Sequence, residues 1–326
     1  MNTKSFVILF FLIFAWLTPC KAQYDLNAVE KARMAKAGVK TQTQWTYNYV
    51  DGKPSAKGYI SSVTKYDTRG NVVEEINYNE KGEIISVTIQ QYDSRDNKVN
   101  YERYQDNRKK MLYSQKTVYD AKGNKTREYG YDGASMYSNT FQYDENGRLS
   151  EIRYTVENVL VERRQMKYSG SKTEISIFDP NNNLTFRQEN THNDKGMLVS
   201  EIKTGGKGNM VHSLDLQYNT SGALTEEVKK RADDKFEYQK LYQYDSENRP
   251  VREEMVNMDG TRFVSREFQY NSQGDLIMES WKKSEKAQDF STKKIMYDSK
   301  GLCTEMECYF ATYKLKSLYK FVYEFY

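Results

Sequence analysis

Tyr143-Asp144-Glu145-Asn146-Gly147-Arg148 is the stretch that decides how the rest of the chain is read. Asp144 stands where a type I turn favours a short side chain that bonds back to the backbone, and Gly147 where the chain must take a positive φ. A type I turn followed by a left-handed glycine is a common hairpin loop with a bulge. The same frame starts at Tyr66, Tyr92, Tyr119, Tyr143, Tyr168, His192, Tyr218, Tyr244, Tyr270 and Tyr297, at spacings of 26, 27, 24, 25, 24, 26, 26, 26 and 27 residues. A period this regular defines a repeat architecture and outranks any local motif. The pairing recurs as Asp67/Gly70, Asp120/Gly123, Asn193/Gly196, Asn219/Gly222, Asn271/Gly274 and Asp298/Gly301. Asn248 takes the glycine slot after Asp245, and Asn is the next most tolerant residue at positive φ.

A second, looser turn follows each tight one, as at Asn79–Gly82, Asp132-Gly133, Asn181–Asn183, Gly205-Gly206 and Asp259-Gly260. The unit is therefore strand, tight turn, strand, loose turn, a double hairpin of about 26 residues, and residues 41–326 hold about 22 antiparallel strands. Two residues before the repeat tyrosine stand Phe141, Met166, Leu216, Tyr242, Phe268 and Ile295; one residue before it stand Gln91, Gln142, Lys167, Gln217, Gln243 and Gln269. That alternation marks half-buried strands with one aromatic and one polar face. Glu74, Glu151, Glu226 and Glu305 recur four residues after the turn glycine, placed for cross-strand pairing. A flat sheet of 22 strands would be ~100 Å wide, and twisted open sheets rarely pass ~10 strands without curling. The expected fold is all-β, a strongly coiled open sheet in the form of a shell, trough or superhelical ribbon. Residues 23–40 form a leading segment, where the capping-box pattern Asn27–Glu30 and Gly38 predict a short helix over 27–37 that covers the first edge strand or simply frays.

Residues 1–22 read as a secretory signal, with Lys4, a 12-residue apolar run from Phe6 to Leu17, and a cut between Ala22 and Gln23. The run falls short of the ~20 residues a spanning helix needs, so no transmembrane segment is expected after signal removal. Pro19 before Cys20 is a poor lipobox. Without the leader's two lysines, 47 Lys+Arg face 45 Asp+Glu with no basic block, which gives no reason to expect nucleic acid. Cys303 and Cys308, five residues apart on one extended strand, would lie ~16 Å apart on opposite faces, beyond disulfide reach.

Catalytic, cofactor and metal sites are all expected to be absent. His192 fills a tyrosine slot, and His212 has no second His or Cys at ligand spacing. Thr204–Asn209 is glycine-rich but lacks the phosphate-loop pattern. The turn aspartates are one per repeat, too sparse to converge on calcium. With 45 acids, carboxylate pairs discriminate nothing. The residues left as candidates for stacking on a ligand are Tyr92, Tyr119, Tyr143, Tyr168, Tyr218, Tyr244, Tyr270 and Tyr297. An outer-membrane barrel would need a continuous apolar outer band, against a chain that is 29% charged with mean hydropathy −0.88.

At Tyr66–Asn71 and Tyr119–Asn124, Tyr-Asp-x-x-Gly-Asn, the chain resembles the YD-repeat or Rhs-like proteins over about residues 60–310. That resemblance implies a coiled β-shell. It does not carry over a toxin role, because no effector domain follows the repeats in the sequence given. The leader and repeat are also similar to small secreted YD-repeat proteins of the Bacteroidota. The functional expectation is an exported, non-enzymatic repeat protein of the periplasm or cell surface that acts as a scaffold or binding module. Its partner would be an envelope glycan, peptide or protein. A glycan- or peptide-binding protein using a tyrosine-lined concave face is the alternative, and a hydrolase with an unrecognised carboxylate pair the third.

Overall fold

The computed structural model describes residues 26–326 except residue 288; the signal at 1–22, the cut between Ala22 and Gln23, and Cys20 lie outside the described residues. Helix α1 (Leu26–Ala37) leads through Gly38 into β1 (Val39–Val50), followed by the two-residue β2 (Lys53–Pro54), β3 (Tyr59–Tyr66) and β4 (Val72–Tyr78). Up-and-down strands continue to β23 (Leu315–Phe325), every neighbouring pair antiparallel.

The expected open sheet is corrected by the seam. β1 pairs with β3 on one side and with β23 on the other, from Val39↔Phe325 to Asn48↔Ser317. The 23 strands, less β2, thus form one closed ring of 22. Two physical effects favour closure. A ring removes both sheet edges and their unpaired backbone groups. The tight-turn hairpins also carry a β-bulge in the same place, between the repeat tyrosine and the residue before it, as at Gln142/Tyr143, Gln217/Tyr218 and Met296/Tyr297. A bulge increases local twist and bend, and repeated at one height it curls the sheet in one direction. The Tyr168 repeat has no bulge: its hairpin turns through Gly170 and Ser171 with Tyr168↔Thr173 in regular register, which accounts for its shorter spacing.

All tight turns lie at one mouth of the barrel and all loose turns at the other. Followed pair by pair around the ring, the registers put the repeat tyrosines and the residues two before them on one face. Lys65, Gln91, Gln142, Lys167, Gln217, Gln243 and Gln269 lie on the other face, all exposed. Helix α1 identifies the inner face. Lys31 pairs with Asp96, and Arg33 with Asp275 while lying 5.0 Å over the Tyr297 ring. Asp96 and Asp275 are eight strand intervals apart along the wall, ~38 Å of sheet, yet two residues of a single helical turn reach both. The wall must therefore curve around α1, and the tyrosine face that meets it is the concave one.

Helix α1 packs inside the tight-turn mouth at the seam instead of shielding an edge strand, since no edge remains. Met34 and Leu302 are fully buried with Val39 and Tyr66, flanked by Ala37, Val72 and Tyr323. Gly70 lies against the helix backbone, where a Cβ would come within 2.2 Å of the Lys31 carbonyl oxygen. Elsewhere the wall is a single layer. Thr46, Asn100, Glu128, Gln188, Asn190 and Glu201 are among its buried residues, and their polarity marks a sheet folded on itself, not on an apolar core.

Candidate functional site: the inner face of the barrel

The repeat tyrosines owe their position to the tight turn. In the Tyr143 copy, Asp144 N–H donates to the Arg148 carbonyl at 2.8 Å, and Asp144 Oδ1 accepts from the Arg148 and Asn146 amides at 2.8 and 3.0 Å. The turn places Tyr143 opposite Leu149 and leaves one extra residue in the bulge. The ladder to the following repeat starts two residues later, at Glu151↔Gln165, so the Leu149 carbonyl needs another partner on that side. Tyr168 Oη donates to it at 2.8 Å. The arrangement recurs around the mouth: Tyr143 to Lys125 O, Tyr218 to Leu198 O, Tyr244 to Leu224 O, Tyr270 to Pro250 O, Tyr297 to Leu276 O and Tyr323 to Cys303 O, all at 2.7–2.9 Å. His192 differs: its backbone N–H donates to Ser171 O at 2.9 Å, and its Nδ1 lies 3.2 Å from the same oxygen. Arg148 lies 4.4 Å over the Tyr168 ring and Arg249 4.6 Å over that of Tyr270.

Six of the eight tyrosines singled out in the sequence therefore use their hydroxyl as a ladder bond between repeats. Tyr92 differs, donating to Gln90 Oε1 at 3.1 Å. Tyr119 keeps its slot opposite Lys125, and burial raises its phenol pKa. All eight are brought together as one row inside the tight-turn mouth.

Above that row runs a polar belt that the sequence reading missed. Five residues after the turn glycine, or the Asn248 in its place, come Glu75, Glu128, Glu201, Glu227, Glu253 and Glu279, and the bulge turns this position inward. Glu75 accepts from Asn77 Nδ2 at 3.1 Å and Glu253 from Ser265 Oγ at 2.7 Å, and the other four meet a lysine or histidine. Lys125 Nζ lies 2.8 Å from Glu128, Lys240 3.5 Å from Glu227 and Lys293 2.9 Å from Glu279. His212 Nε2 is 2.9 Å from Glu201, whose other oxygen accepts from Gln188 at 3.1 Å. The acids noticed in the sequence, four residues after the glycine, point outward, where Lys65 meets Glu74 at 2.6 Å and Lys320 meets Glu305 at 2.9 Å.

Toward the loose-turn mouth the inner face becomes aromatic again, with Tyr113, Tyr137, Tyr154, Tyr238 and Trp281, while Tyr101, five residues after Asp96, takes the belt position. These rings sit at even offsets from the repeat tyrosines or at fixed offsets after the bulge. A count that included the bulge would have found them.

Cys303 and Cys308 are both free thiols, and the bulge at Met296/Tyr297 brings both to the inner face, correcting the expectation of opposite faces. Burial pushes the Cys303 thiol up to about 12 and that of Cys308 up to about 11, so both stay protonated and unreactive at neutral pH. Among the described residues no group of three or more His, Cys, Asp or Glu side chains is placed to hold a metal ion, and no helix is long and apolar enough to cross a membrane. Thr204–Asn209 forms the expected turn, with Gly208 N–H donating to Gly205 O at 2.8 Å.

No protein-family model and no curated protein matches the chain, so the resemblance to YD-repeat proteins gains no support from sequence comparison. Among solved structures, a porin-like protein from Bacteroides uniformis is similar at 11% identity and TM-score 0.33, over 88% of this chain and 97% of that one. A porin-like protein from Bacteroides vulgatus is similar at 11% identity and TM-score 0.22, over 88% and 98%. The Photorhabdus luminescens Tc holotoxin pore is similar at 12% identity and TM-score 0.21, over 82% of this chain but only 19% of that one. Similarity this low assigns neither a family nor an activity.

Proposed function

We propose that this chain is an exported, non-enzymatic barrel that serves as a binding module of the cell envelope, with its lumen as the binding surface. The observation that carries this reading is the inner face: two tiers of aromatic rings separated by a polar belt, inside a wall of 22 strands. A barrel of ~8 strands is filled by its own side chains, whereas wider barrels enclose ligand cavities or channels. Export rests on the leader sequence, and the periplasm or the cell surface would suit it equally.

The outer wall supports a water-facing barrel over a membrane-inserted one. Arg153 and Arg163 flank Glu151 at 2.5 and 3.8 Å, and Arg252 lies 2.9 Å from Glu254. Charges at mid-wall height would each cost ~2–4 kcal/mol facing lipid.

The test is direct. Purified mature protein should stay monodisperse without detergent and bind envelope material saturably without cleaving it. New reducing ends or amino termini, lost on substitution of one carboxylate, would refute the non-enzymatic reading; absence of binding to every envelope fraction would refute the binding module.

A further inference from the structure

We propose that the loose-turn rim, from Tyr313 across the seam to Val159, is a docking surface for a lipid bilayer with anionic head groups. This surface is separate from the lumen and does not depend on the lumen reading above.

The two rims differ in composition. The tips of the tight turns hold polar residues, glycine or alanine, as at Thr68-Arg69, Ala121-Lys122, Glu145-Asn146 and Ser299-Lys300. Phe325 and Tyr326, exposed at that end, belong to the seam, where Lys300 lies over the Phe325 ring and Tyr326 Oη donates to Tyr66 O. At the opposite mouth, six consecutive connections around the ring each carry an exposed apolar side chain: Tyr313 with Leu315, Val50, Ile85, Met111, Met136 and Val159. Val159 is 66% exposed and Tyr313 79%. Single exposed apolar residues are ordinary on a surface. An unbroken run along one rim, with none at the tight-turn tips of the other, is not. The turns do not need these residues either. Asp51 and Gly52 take φ +50° and +76°, and Glu157 and Asn158 +48° and +64°, so Val50 and Val159 only flank turns that their neighbours make.

The accessible charge on this side of the rim is positive. Among the described residues, Lys53, Lys81, Lys109, Lys110 and Lys314 are exposed and form no ion pair. The neighbouring carboxylates are held back in the turns. Glu80 accepts from Asn48 Nδ2 and Glu83 from Asn79 Nδ2, both at 2.7 Å; Asp132 accepts from the Ser135 amide and Glu157 from the Met136 amide, both at 2.8 Å. Asp51 and Asp106 are short side chains within the turns themselves. A lysine lays its methylenes along an apolar neighbour and extends its ammonium beyond it, so the charge reaching furthest from the rim is cationic.

These features select the occupant. Successive hairpins stand about 10 Å apart, so the apolar side chains form a dotted line and not a packed patch. A protein interface needs a close-packed core. A bilayer interface accepts each side chain separately and offers lipid phosphates to the lysines. A second copy docked rim to rim would set lysines against lysines. The wall itself stays out of the lipid because Arg153 and Arg163 stand at mid-height, so contact ends at the turns.

The test uses the mature protein with vesicles of phosphatidylethanolamine and phosphatidylglycerol, or of phosphatidylcholine alone. Co-sedimentation with the anionic vesicles is expected, weaker on phosphatidylcholine and in high salt. Val50→Asn combined with Val159→Asn should weaken it about tenfold, with the circular dichroism spectrum of the parent. Met111→Trp at the rim should gain blue-shifted emission on vesicle addition, and Thr220→Trp in a tight turn should not. No vesicle binding, equal binding to phosphatidylcholine, indifference to the paired substitution, or a blue shift at Thr220→Trp would overturn the proposal. So would self-association that the paired substitution abolishes, which would make a second copy the occupant. Saturable binding of envelope glycan, peptide or protein through any such failure would leave the lumen reading standing.

Discussion

A single tyrosine shows how the repeat works. The ring of Tyr244 lines the inner wall, and its hydroxyl donates at 2.7 Å to the Leu224 carbonyl, one strand away and beyond the end of the regular ladder. Tyr244→Phe removes the donor and keeps the ring, so a loss of ~1–3 kcal/mol is expected from leaving that carbonyl unpaired, measured by urea unfolding. The glycine slot is equally specific, and its exceptions have uses. Asp96, at φ +70°, accepts from Asn71 Nδ2 at 2.6 Å and pairs with Lys31; Asn248, at φ +61°, accepts from Asn219 Nδ2 at 3.1 Å. Each spends some backbone strain to tie one turn to another element. The turn aspartates also set the acid limit. The Arg148 amide, then its guanidinium, holds the Asp144 carboxyl below its usual range, and the Asn124 amide does the same for Asp120. A depressed native value gives stability that is complete above the unfolded value near ~4 and lost as pH falls through the native one. Urea midpoints should therefore be flat from pH 7 to about 5 and fall below about 4, and Asp120→Asn with Asp144→Asn should reduce that fall.

Helix α1 is the element whose role the structure redefines. Its intrinsic tendency is modest, since 12 residues alone are marginal in water. Met34 in the seam cluster and the ion pairs to opposite sides of the seam hold it in place. Burying Met34 contributes ~1.5–3 kcal/mol, while the ion pair from half-exposed Lys31 contributes ~1 kcal/mol or less. Met34→Asp should then destabilise by ~3 kcal/mol or more, with amide exchange accelerating first in β1 and β23. Lys31→Gln should barely register. Unchanged exchange at the seam in Met34→Asp would show that α1 packs on the seam without locking it.

The molecule as a whole is a ring with a charged outer wall and a lumen lined by aromatic and polar side chains. A compact chain of this length has a radius of gyration of ~19 Å, whereas 22 strands tilted by the usual ~35–45° stand ~21–24 Å from the barrel axis. Small-angle scattering should accordingly give a radius of gyration above ~21 Å and a distance distribution skewed toward long vectors. A value near ~19 Å would mean that the walls have collapsed onto each other.

Sequence alone determined the local structure. Asp144 and Gly147 specify the hairpin turn, Gln142 and Phe141 specify the two faces, and Asn27 to Gly38 specify a helix, because each depends on the conformational limits of a few neighbouring residues. Only the tertiary structure decided closure, the task of α1 and the inward turn of Glu128, Glu201, Glu227 and Glu279. The β1–β23 pairing joins residues nearly a full chain length apart, and no local propensity records it. The bulge beside each repeat tyrosine has the same consequence at short range: one extra residue exchanges the faces of everything after it, so period-two counting through the turn misplaced Cys308 and overlooked the inner acids. Turn chemistry is fixed by nearest neighbours, whereas a barrel is fixed by the sum of small bends, and that sum exists only once all 22 strands are in place.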